Sequence, residues 1–107
     1  MIIVTTDEIP GLEIVQVHGL VKGNSVRARH CGIDMLACFR NMVGGEIHEY
    51  TKMLAETREQ ALDRMIEQAE KAGANAILCV RFVTSEITRH AAELLAYGTA
   101  VTVKPRS

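Results

Sequence analysis

The stretch EIHEYTKMLAETREQALDRMIEQAEKA (residues 46–72), then Gly73, then ANAILCVRFVTSEIT (residues 74–88), decides how this chain folds. In the first part Ile47, Tyr50, Leu54, Ala61, Leu62, Met65, Ile66, Ala69 and Ala72 recur at helical spacing and make one apolar stripe. Glu46 and Glu49 in the first turn and Lys71 in the last complement the helix dipole. Glu67 with Lys71 is a favourable i,i+4 pair, and Gly73 is a helix stop. The spacing therefore predicts a long helix over 46–72. Residues 74–88 and 94–104 read as two long strands joined through Arg89 to Glu93, a hairpin. About 26 helical residues at 1.5 Å and about 12 strand residues at 3.3 Å both span roughly 40 Å, so the helix can lie along the hairpin in a two-layer unit.

Working outward, residues 2–5 and 12–22 read as strands separated by Pro10-Gly11. Gly19 marks a bulge or bend, and Gly23-Asn24 reads as the end of the second strand. From Gly32 to Val43, Met35, Leu36, Phe39, Met42 and Val43 fall at helical spacing and Gly44-Gly45 closes the segment, a short helix. The expected fold class is α+β: a single domain over 1–107, two-layer, with an antiparallel sheet packed by one long and one short helix in the order β-β-α-α-β-β, and ring-forming.

The faces of the strands bear on assembly. Alternation puts Ala76, Leu78, Val80 and Phe82 on one side of the third strand and Ile77, Cys79, Arg81, Val83 and Ile87 on the other. In the last strand Leu95, Tyr97, Val101 and Val103 share a face, with Ala96, Gly98 and Ala100 opposite. A sheet wet on one side should alternate apolar and polar; a second face that is half apolar calls for a cover, either the short helix or a neighbouring subunit. Composition agrees. The 107 residues are 48% apolar but only 4% aromatic and lack Trp, and a chain this short buries only about two thirds of its unfolded surface. Packing between identical subunits is the preferred reading.

Charge and cysteine content narrow the function classes. A net charge of −1 removes the footprint of a general nucleic-acid binder or a polybasic membrane-surface protein, and scarce aromatics leave few stacking platforms for bases. No apolar run approaches the ~20 residues of a membrane span. Three cysteines without framework spacing fit reduced thiols in the cytoplasm, and the first residues lack the basic region of a signal peptide.

Candidate chemistry is sparse. Lys22, Arg27, Arg29 and Arg40 face only Asp34, so residues 22–40 are basic, whereas seven acids face four bases over 46–73. The two charged surfaces can meet each other; alternatively Arg27, Arg29 and the N-terminal amides of the short helix hold an anion such as a phosphate. Residues 19–25 are glycine-containing but lack the Gly-Lys-Ser/Thr ending of a P-loop. A divalent transition metal needs ligands at chelating spacing. No Cys-x-x-Cys or His-x-x-x-His is present, and two helical turns separate Cys31 from Cys38. His30, Cys31 and Cys79 remain the metal-ligand candidates, chiefly because a ring repeats one ligand per chain around its axis. Each buried thiol otherwise serves as a small hydrophobe. The carboxylate pairs Glu46 with Glu49 and Asp63 with Glu67 lie on the outer part of the helix, and no catalytic residue is assigned.

Arg40-Asn-Met-Val-Gly-Gly-Glu-Ile-His-Glu-Tyr-Thr-Lys-Met-Leu54, Ala72-Gly-Ala-Asn-Ala-Ile77, Arg81-Phe82 and Tyr97-Gly-Thr-Ala-Val101, together with Thr5-Thr6 and the Gly11 turn, resemble the YbjQ-like family over essentially the whole chain. That family carries a heavy-metal-binding label and is similar in fold to the dodecin subunit. The resemblance implies a helix-on-sheet unit assembled into homopentamers through sheet edges and the short helix. The matching segments contain no shared thiol or imidazole set, so no family ligands carry over. The expected role is a cytoplasmic homo-oligomeric module that binds a heavy metal or small ligand at subunit interfaces. The alternatives are an enzyme with an intersubunit pocket and a purely structural assembly.

Overall fold

The computed structural model describes residues 1–28, 45–88 and 91–107. Its elements are β1 (Ile2–Ile3), β2 (Leu12–Ala28), α1 (Gly45–Lys71), β3 (Ala76–Thr88) and β4 (Ala91–Pro105). The short helix expected over Gly32–Val43 lies outside the described residues, which run β-β-α-β-β. β3 and β4 form the expected hairpin, with only residues 89 and 90 between them.

The four strands make one sheet in the order β1-β3-β4-β2. It is mixed rather than antiparallel, because β1 runs parallel to β3 while β3–β4 and β4–β2 are antiparallel. The Pro10-Gly11 punctuation therefore does not close a hairpin. β1 and β2 lie at opposite borders of the sheet, and Val4, Ile9 and Leu12 pack on Ala76, Leu78, Val101 and Val103 along the way. Bonds from Leu12 N–H to Ile9 C=O and from Arg106 N–H to Gly11 C=O tie that crossing down.

α1 covers the other face. Ala61, Met65 and Ala69, four residues apart, are fully buried against Val21, Ile77, Val80, Ala96 and Ala100. Two alanines flanking one methionine on the helix meet the small residues of β4, so the layers approach closely. The helix ends as expected. Gly73 has φ +89° and donates to Glu70 C=O while Ala74 N–H reaches back to Ala69 C=O, the paired bonds of a left-handed helix terminus. Glu67 and Lys71 are paired at 3.2 Å.

Two expectations about the strands are corrected. β2 does not end at Gly23-Asn24 but continues to Ala28. Gly23 is there because α1 crosses the strand at that point. A Cβ on Gly23 would lie 2.3 Å from both Ala61 O and Met65 N, so the glycine admits a helix backbone and breaks nothing. The simple alternation of β3 also fails. The register jumps from Leu78↔Thr99 to Arg81↔Tyr97, and Cys79 sits at φ 55°. This bulge reverses the side-chain parity: Ala76 and Leu78 face away from the helix, whereas Ile77 and Val80 share the core beneath it. The reading of β4 holds, with Ala96 and Ala100 under the helix and Val101 and Val103 on the opposite face. Gly19, at φ 108°, lies at a register shift of β2, as its reading as a bulge requires.

Gly23→Ala is expected to cost about 3 kcal/mol or more in urea unfolding, since no low-energy shift separates a methyl group from two backbone atoms of a packed helix. Gly73→Val should cost about 1–3 kcal/mol by the same measurement, because a β-branched residue is strained at that positive φ.

Candidate functional site

The arrangement at the Gly23 crossing binds the helix to the border of the sheet. β2 is an outer strand, so every second residue turns its backbone N–H and C=O away from β4. α1 supplies partners for two of these. Gln68 Oε1 accepts from Lys22 N–H at 2.7 Å, and Arg64 donates to Asn24 C=O. Beneath them the fully buried Ser25 donates its hydroxyl to Gln60 Oε1. Gln60, Arg64 and Gln68 each stand one position before Ala61, Met65 and Ala69, so this polar row runs beside the buried row. That i, i+4, i+8 repeat is visible in the sequence and was not read there as an edge-sealing device.

The second feature is the sheet face away from α1. The register places Ile14, Val17, Leu20 and Val26 of β2 and Val83 of β3 on it, beside Tyr97 and Leu95 of β4. Residues 4–12 cover only one end. Ile14 is 45% exposed, Val17 63%, Leu20 69%, Val26 50% and Val83 42%. An apolar second face is thus present, but it is exposed chiefly on β2 rather than on the β3 and β4 residues from which it was expected; among the described residues most of this β2 part is uncovered, whereas Leu78, Val101 and Val103 are buried.

The candidate ligands are not brought together. Arg27 is placed in β2 opposite Ala92, while Arg29, His30, Cys31 and Cys38 lie outside the described residues. Cys79 is half-buried at the β3 bulge. Its N–H donates to Thr6 C=O at 3.0 Å and its thiol lies 3.7 Å from the same oxygen, with Arg81 Nη1 donating to Thr5 C=O alongside. A thiol beside a backbone carbonyl lacks the three or four nitrogen and sulfur donors that zinc requires. Among the described residues no group of three His, Cys, Asp or Glu side chains could hold a metal. His18 has another role: its Nε2 is 2.7 Å from Thr102 Oγ1, which in turn donates to Gly73 C=O at the end of α1. No helix among the described residues is long and apolar enough to cross a membrane.

Among the described residues these features define a two-layer α+β domain with one sheet face covered by α1 and the other largely uncovered. The YbjQ-like family, described as "Putative heavy-metal-binding", matches residues 1–104, and the chain belongs to it. A UPF0145 protein of Dehalococcoides mccartyi is 53% identical over 104 residues, covering 97% of this chain and 100% of that protein. UPF0145 proteins of Archaeoglobus fulgidus and Pyrococcus furiosus are each 54% identical over 97% of this chain, covering 96% and 91% of their own lengths. Among solved structures, a DUF74-family protein of unknown function from Pediococcus pentosaceus matches with a TM-score of 0.66 at 16% identity, covering 97% of this chain and 98% of that one. At that identity the likeness speaks for the fold.

The bulge yields a prediction about Cys79. Its left-handed backbone is strained for any side chain and most for a β-branched one. Cys79→Gly should stay within about 1 kcal/mol of the wild type, and Cys79→Val should fall about 2 kcal/mol below the glycine variant in denaturant melts.

Proposed function

We propose that this chain is a cytoplasmic homo-oligomeric binding module, closing into a ring of five and holding a heavy-metal ion or other small ligand where subunits meet. The observation that carries this reading is the apolar face left uncovered among the described residues. Ile14, Val17, Leu20, Val26 and Val83 form a surface of the kind that marks protein association.

The ligand part of the proposal draws on the family description and on the repetition of one donor set around a ring axis. His30, Cys31 and Cys79 are its candidate metal ligands, and Arg27 with Arg29 its candidate anion site. An intersubunit pocket could equally serve an enzyme, but no observation favours a reaction over binding.

Light scattering behind a sizing column at micromolar concentration should give a mass of about five chains, and a mass of one chain would refute the assembly. Calorimetric titration with Zn²⁺, Cu²⁺ and Ni²⁺ should give binding heat that thiol alkylation diminishes. Absence of heat for all three ions, with and without alkylation, would remove the metal reading.

A further inference from the structure

We draw no further inference here: the strongest candidate, the apolar patch that Phe82 of β3 makes on the α1 side of the sheet, opposite Ala96 and 45% exposed, is an unpartnered apolar face, and among the described residues nothing shows what covers it.

Discussion

The contact of helix backbone with strand backbone at Gly23 is the constraint from which the rest of the structure follows. With no Cβ at that position, Ala61 and Met65 of α1 settle directly over β2, and Ser25, Asn24 and Lys22 come within reach of Gln60, Arg64 and Gln68. Burial of Met65 between two alanines supplies the apolar part of the contact, and the polar row beside it satisfies groups that an outer strand leaves unpaired. Packing and hydrogen bonding therefore select the same helix position.

That position has a consequence for the opposite face. α1, seated toward the β2 border, closes one side of the sheet. Among the described residues the other side receives only the crossing segment of residues 4–12. The bulges of β2 and the left-handed Cys79 of β3 then decide which residues turn to which side. At Cys79 they bring Val80 into the core under the helix, and in β2 they set Ile14, Val17 and Leu20 along the border. The same strand is thus bonded to α1 at Lys22 and Asn24, and among the described residues it has no such partner a few residues earlier.

The family description directs attention to metals, but the chemistry among the described residues does not assemble a metal centre. Cys79 faces a carbonyl, and His18 is engaged with Thr102 at the end of α1.

The long helix, its stop at Gly73, the β3–β4 hairpin and the split of β4 into small and large faces were legible in the sequence, because each depends on local periodicity and capping chemistry. The mixed topology, the continuation of β2 through Gly23 and the parity change at Cys79 were not. A glycine that ends a strand and one that makes room for a helix look identical until the helix is in place. A bulge on a cysteine carries no composition signal, and the partner of a two-residue strand is chosen by distant neighbours. The sequence by itself determined the long helix and the apolar positions along each strand. Only the tertiary structure decided which of them α1 covers, because that choice depends on how closely two backbones can approach.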